Sequence, residues 1–285
     1  MARIAVVGAT GQIGAEVVRL LVGGGHEVRA LVRDAGHAQT TLSDGIDLLE
    51  GDMRDSARHG PLLTGADALF VVSSDPSLEP PIFRSAGRMG VPLVVKSSAV
   101  GFGGAAPSGH AAAEAVLVDQ PVGAVILRPN AFMQTLRSYL PRLIEADGSF
   151  ALPAGNGATA WVDTRDIAAV AATVLTSPPP DHPTIHLVTG PAALTMSQVA
   201  QAVSATTGRT VTFRPLAADE AEAHLVQRLG PMGAFLAEHY IAVAAGGFTD
   251  VATTVPELTG SPARSLHQLI REDPTAWTAE DPRRP

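Results

Sequence analysis

Cysteine is absent from this 285-residue chain, which excludes disulfides, thiolate catalysis and cysteine–zinc centres. The nine histidines show no metal-ligand spacing such as H-E-x-x-H, so no metal is expected. Lysine is almost missing: Lys96 stands alone against nineteen arginines. Aromatic residues are scarce at 4%, so a core must be built from Val, Leu, Ile and Ala. No apolar run approaches the roughly 20 residues that span a bilayer, so no membrane association is expected. A first strand starting by Arg3 leaves no room for a signal peptide, which predicts a cytoplasmic protein. Positive charge is also in deficit, with a net charge of -8, which argues against nucleic acid as a partner. The remaining expectation is a small-molecule substrate and a monomer or homodimer.

What is present is a regular alternation. Short aliphatic runs at Ile4–Val7, Val28–Val32, Ile46–Leu49, Ala68–Val72, Val91–Val95 and Val122–Leu127 read as strands. Helical-period segments separate them: Gln12–Val22, Ile82–Met89 behind Pro80-Pro81, and His110–Val118. Six such strands in this order predict an α/β fold, a doubly wound parallel sheet of the dinucleotide-binding (Rossmann) type. After Arg128-Pro129 the rhythm changes. A helical stretch over Phe132–Ala146 carries Pro141, which predicts a kink or two shorter helices. Further helices are expected over 164–175, 197–207, 219–229, 234–245 and 265–271, strands at Ile185–Val188 and Val211–Phe213, and a frayed tail over 281–285. The implied division is a nucleotide-binding domain of residues 1–130 plus about 158–190. A smaller, mainly helical substrate-side lobe takes 131–157 and 191–285.

The first strand leads directly into Gly8-Ala9-Thr10-Gly11-Gln12-Ile13-Gly14 and then a helix. In such a turn Gly8 permits the sharp exit from the strand, Gly11 lets the backbone approach a pyrophosphate, and Gly14 lets helix and sheet pack closely. The N–H groups of Gln12 and Ile13 and the helix dipole would attract the phosphates, with Thr10 beside them. The spacing is G-x-x-G-x-x-G, one residue wider than that of many NAD dehydrogenases. Arg33, just past the second strand, can fork a ribose 2′-phosphate, which favours NADP(H) over NAD(H). Asp34 beside it could instead accept from a ribose hydroxyl. Asp52, after the third strand, is either an acceptor for the adenine amino group or part of a plain turn. Ser73 and Ser97, past the fourth and fifth strands, complete the expected cofactor contacts with Asn130, which could hold the carboxamide beside a wall formed by Phe132.

The glycine turn, Leu31-Val32-Arg33, Gly51-Asp52, Ser97-Ser98, His110-Ala-Ala-Ala-Glu114, Leu127–Phe132, Asp163–Ala168 and Leu258–Ser265 together resemble the NmrA-like atypical short-chain dehydrogenase/reductases. That group holds NAD(P)H:quinone oxidoreductases, triphenylmethane- and azo-dye reductases, tailoring enzymes of secondary metabolism, and NADP-binding regulators that catalyse nothing. The resemblance implies a Rossmann fold and a bound NADP(H).

Ordinary short-chain dehydrogenases use Tyr-x-x-x-Lys, but here Tyr139 is followed by Leu143 and Tyr240 by Ala244. Three other residues are the candidates for chemistry. His110 could protonate a reduced carbonyl or quinone oxygen, or be a structural histidine at a helix start paired with Glu114. Lys96 could touch the nicotinamide ribose or a substrate carbonyl, or be a strand-end charge reaching solvent. Ser98 could hydrogen-bond the substrate. Strand alternation requires Lys96 and Ser97 to face opposite sides, and Asp163 and Asp166 read as helix-start acids. Without a tyrosine acid, the expected reaction is NADPH-dependent hydride transfer to a quinone-like or conjugated, even polycyclic aromatic, acceptor. The alternatives are a non-catalytic NADP(H)-binding redox sensor and an NADP(H)-using tailoring ketoreductase.

Overall fold

Strand β1 (Arg3–Val7) leads through the glycine turn into helix α1 (Gln12–Gly23), then β2 (Glu27–Val32), α2 (Ala35–Thr41), β3 (Asp47–Glu50) and α3 (His59–Leu63). Strand β4 (Ala68–Val72), α4 (Pro80–Met89), β5 (Leu93–Ser97), α5 (Ser108–Val118) and β6 (Gly123–Pro129) complete the first half. The second half runs α6 (Met133–Leu143), β7 (Ser149–Leu152), β8 (Ala158–Thr159), α7 (Thr164–Leu175), β9 (Thr184–Val188), β10 (Leu194–Thr195), α8 (Met196–Thr207) and β11 (Thr212–Pro215). Four helices close the chain: α9 (Ala218–Leu229), α10 (Pro231–Ala244), α11 (Thr254–Thr259) and α12 (Leu266–Glu272). This computed structural model describes residues 1–101 and 104–278, so the expected fraying of 281–285 lies outside the described residues.

Among the described residues, seven parallel strands form one sheet in the order β3-β2-β1-β4-β5-β6-β9. Reversal of strand order beside β1 opens a crevice at the carboxyl ends of β1 and β4, where such sheets bind ligands. The doubly wound sheet is therefore as the residue pattern implies, extended by β9 at one edge. Helices α1 and α7 cover one face, where Val17, Val18, Leu21, Ile167 and Ala171 meet Ile4, Val6, Phe70 and Val95. Helices α3, α4 and α5 cover the other, bringing Leu62, Phe83 and Leu117 onto Ala5, Leu69 and Val94. A third cluster joins α6, α8, α9, α10 and α12 around Leu136, Leu140, Phe150, Trp161 and Leu225. Burial of this aliphatic surface drives the assembly.

Several boundaries differ from the sequence reading. Strand β5 begins at Leu93 and runs through Lys96 to Ser97, so Lys96 pairs with Val71 and Ile126 inside the sheet rather than following it. Hydropathy ended the strand at Val95 because the next residues are polar, but ladder bonding is indifferent to the side chain. Strand β6 extends to Pro129 for the same reason, past Arg128. Helix α6 is a single helix; Pro141 falls in its last turn, where only a terminal hydrogen bond is lost. Helix α10 starts three residues earlier than its periodicity suggests, at Pro231, which needs no N–H acceptor in the first turn.

Candidate active site

A cleft of about 770 Å³ opens at the carboxyl edge of β1, β2, β4 and β5, and the residues that line it lie between Val7 and Phe132. At one end is the glycine turn. Gly8 sits at φ +83°, and a Cβ there would lie 2.0 Å from the Val72 carbonyl oxygen. A Cβ on Gly14 would lie 2.0 Å from the Gly8 oxygen. These two glycines are demanded by the protein's own packing. Gly11 is different: its φ of -79° suits any residue, and a Cβ would meet only the Gly8 oxygen, at an ordinary 3.5 Å. Nothing in the described chain requires glycine at position 11, so the room it leaves at the cleft surface fits a ligand. Helix α1 has no side-chain cap and no acid in its first turn. Among the described residues the N–H groups of Gln12 and Ile13 have no acceptor. Unpartnered donors at a positive helix end attract phosphate.

Arg33 lines the same cleft and a second hollow of about 580 Å³ that continues outward past Gly51, Asp52 and Arg58. Asp34 is committed elsewhere, since its carboxylate accepts from the His37 N–H at 2.9 Å and caps α2. Asp34 is also absent from the residues that line the cleft. Asp52 lines the cleft, but its Oδ1 accepts from the Arg54 N–H at 2.8 Å, as in an ordinary turn. Arg58 went unnoticed in the sequence. The signal was Gly51, because a Cβ there would lie 2.7 Å from the Arg58 Cγ that packs over it.

At the other end, Ser73, Ser97, Ser98, His110 and Phe132 all reach the cleft, together with Thr10 from the turn. Ser73 Oγ donates to the Asp75 carbonyl at 3.0 Å and so braces the loop after β4. Ser97 belongs with the Leu93 and Val95 face of β5, whereas Lys96 shares the opposite face with Val94, as alternation requires. Lys96 is absent from the cleft wall: it is 0% exposed and its ammonium donates to the Glu79 carboxylate, which is also 0% exposed. Neither the nicotinamide contact nor the solvent-reaching charge expected of Lys96 is therefore seen. Its other neighbour is His110 Nδ1, at 3.3 Å. Burial, helped by the nearby ammonium of Lys96 and opposed by Glu114, holds the His110 pKa below 6.5. Both the burial and the ammonium disfavour the imidazolium.

Two further expectations need correcting. Glu114 does not pair with His110. Its carboxylate takes the Arg128 guanidinium at 2.6 Å and the Ser98 hydroxyl at 2.5 Å, which locks Ser98 against the rear of the cleft. Asn130 is 3% exposed and outside the cleft; its Nδ2 donates to the Phe248 carbonyl and its Oδ1 accepts from the Ala131 N–H. The Nδ2 bond joins the sheet edge to the second half of the chain, and the side chain does not line the cleft where a carboxamide would be held. The two tyrosines meet hydroxyl to hydroxyl in the third core cluster, fully buried, where burial pushes both pKa values up. They are inert as acids. Asp163 caps α7 as expected. Asp166 does more, accepting from the Arg264 N–H at 2.7 Å and pairing with its guanidinium, which clasps the 258–265 segment onto α7.

No cluster of metal-ligating side chains occurs among the described residues, and none of the described helices is long and apolar enough to cross a membrane. The chain matches the model of the NmrA-like family over residues 1–99. It is 33% identical to an NAD(P)H azoreductase of Xenophilus azovorans, across 97% of this chain and 99% of that one. It is 32% identical to the (4-alkanoyl-5-oxo-2,5-dihydrofuran-3-yl)methyl phosphate reductase of Streptomyces griseus, across 97% and 100% of the two chains. Its fold superimposes on the NADPH-dependent quinone oxidoreductase of Escherichia coli, crystallised with NADPH. The TM-score is 0.86 at 25% identity, with 94% of this chain and 99% of that one covered. With relatives matched from end to end at 32–33% identity, the chain belongs to the NmrA-like family, as one of its oxidoreductases.

Proposed function

We propose that the protein is an NADPH-dependent reductase of a quinone-like or otherwise conjugated small molecule. The observation that carries this reading is the position of a histidine, His110, on the wall of the same cleft that begins at the glycine turn. The Gln12 and Ile13 N–H groups would hold the pyrophosphate, and Arg33, which lines the same cleft, the 2′-phosphate. Ser97 and Phe132 border the far end, where the nicotinamide would lie. Bound NADPH supplies a hydride. The chain's own contribution is then to orient the acceptor, keep water out and stabilise the charge that appears on the acceptor after hydride arrives. His110 is the donor placed to do so, while the Ser98 hydroxyl proton is held by Glu114. With no tyrosine available, acceptors that delocalise charge are favoured because they need least help from an acid. The azo, quinone and furanone compounds named for its relatives are all conjugated acceptors.

The test is oxidation of NADPH by purified protein against a panel of quinones, azo dyes and enones, without added flavin or metal. Turnover with at least one class is expected. His110→Phe should lower kcat about 100-fold or more, the usual contribution of a positioned proton donor, while the Kd for NADPH stays unchanged. Tight NADPH binding with no turnover across the panel would favour a sensor instead.

A further inference from the structure

The most unusual group in the molecule is an ion pair the proposed reaction does not touch. Lys96, the only lysine, and Glu79 are both fully buried, and Glu79 Oε1 has no hydrogen-bond partner among the described residues. Such a pair generally contributes less to stability than apolar residues of the same volume. Burial raises the Glu79 pKa to about 7 even against the opposing pull of Lys96, so the fold holds this carboxylate against a real desolvation penalty. The local sequence is arranged to allow it. Glu79 is the residue before α4, where an acidic side chain would ordinarily turn to cap the helix. Here the first two helical residues are Pro80 and Pro81, which have no N–H to cap, and the Glu79 side chain makes no cap hydrogen bond. It turns instead into the protein and meets Lys96 on β5. Among the described residues, the other polar contact of that ammonium is His110 Nδ1 on α5.

An ammonium has three donors and no acceptor. Its contact with a ring nitrogen therefore requires that nitrogen to be the unprotonated one. We propose that Glu79 and Lys96 are positioning residues that lock His110 as the tautomer with Nδ1 accepting from Lys96 and the proton on Nε2. His110, which lines the cleft, is then a hydrogen-bond donor and not an acceptor. The site therefore selects substrates whose charge develops on an atom with a lone pair, a carbonyl oxygen or an azo nitrogen. The idea rests on the reductase reading for its use in catalysis, but not for the tautomer itself.

The balance of the step is simple. Hydride adds to the conjugated acceptor, and the electron pair displaced onto its oxygen or nitrogen takes the Nε2 proton of His110. Nδ1 takes a proton from the Lys96 ammonium, so the imidazole remains neutral as the opposite tautomer. After product leaves, a solvent proton enters at Nε2 and the Nδ1 proton returns to Lys96, restoring the ammonium beside the Glu79 carboxylate. The charged groups facing His110 are Lys96 and Glu114, with Glu79 behind the first and Arg128 behind the second.

Nitrogen-15 spectra of histidine-labelled protein at pH 7.5 read the tautomer directly, with the His110 signals assigned from their loss in His110→Phe. The expected result is an unprotonated Nδ1 and a protonated Nε2. A protonated Nδ1 in the wild-type protein overturns the proposal. The double substitution Lys96→Met with Glu79→Gln removes the ammonium without stranding a buried carboxylate. It should let the Nδ1–H form appear and lower quinone-dependent kcat at least tenfold with the Kd for NADPH unchanged; Lys96→Arg, which keeps a donor, should restore part of both. An unaltered tautomer in the double variant would overturn the proposal too. Absence of any turnover in the wild type would sink the reductase reading while leaving the tautomer assignment to stand or fall on the spectra.

Discussion

The two ends of the cleft are made in opposite ways. The phosphate end is backbone: a strand, a seven-residue turn and the start of α1, all within residues 3–23. The far end is side chains delivered from separate elements, with Ser98 after β5, His110 on α5, Phe132 after β6 and, behind them, Glu79 before α4. A backbone site depends on conformation and tolerates most side chains, whereas the side-chain site depends on who stands next to whom. The first holds a feature common to all dinucleotides. The second is where one reductase differs from another.

Substitutions sharpen the contrast. The largest expected effect is Gly14→Ala, whose new Cβ would press on the Gly8 backbone. It should destabilise the fold by about 3 kcal/mol, the scale of severe overpacking, read as a fall in Tm. Gly11→Ala, three residues away, should leave Tm unchanged but weaken NADPH about tenfold or more, seen by calorimetry. If both variants behaved alike, the distinction between packing glycine and ligand glycine would collapse. Next comes Arg33→Asp, expected to cost NADPH about 1.5–3 kcal/mol of binding, as for a hydrogen bond to a charged group, with NADH little changed. Equal losses for both cofactors would remove Arg33 from the 2′-phosphate.

An effect of a different kind belongs to the far end and appears only with pH. The folded Glu79 pKa, near 7, lies above its ordinary value of 4.5, so the native state holds a proton that the unfolded chain releases between those limits. Stability from this carboxyl is therefore present at low pH and lost as pH rises from about 4.5 to about 7. Glu79→Gln removes that loss. The Tm of the variant relative to wild type should climb across the window and then level off; a constant offset would show that Glu79 does not titrate there.

How much of this could be read in the chain follows the same division. The glycine turn was legible because strand, turn and helix are consecutive, although only Gly8 and Gly14 are required by the chain's own packing. The doubly wound parallel sheet followed from the aliphatic runs. Asp34 was ambiguous because its neighbours cannot say whether a carboxylate faces a ribose or its own helix; in the structure one of its oxygens caps α2 through the His37 N–H. Lys96 was misread because polarity was taken for the end of a strand, although β5 carries it into the interior. Glu79 was invisible. An acid before two prolines looks like an ordinary helix start, and nothing local reveals a lysine seventeen residues later across the layer. Asn130 shows the same limit at longer range, since its partner is 118 residues away.

That last bond has a consequence for the order in which the molecule is made. The Asn130 amide reaches the Phe248 carbonyl, and the Arg264 clasp on Asp166 spans a further 98 residues. Contacts of such sequence separation close late, because the loop entropy is lost before they return anything. A chain emerging from the ribosome would thus complete its nucleotide cradle from the first two dozen residues' neighbours long before the edge beyond β6 is tied down. In pulse-labelled hydrogen exchange during refolding, amides of β1 and β4 should be protected before the Asn130–Ala131 segment; simultaneous protection would show that both halves arise in one cooperative event.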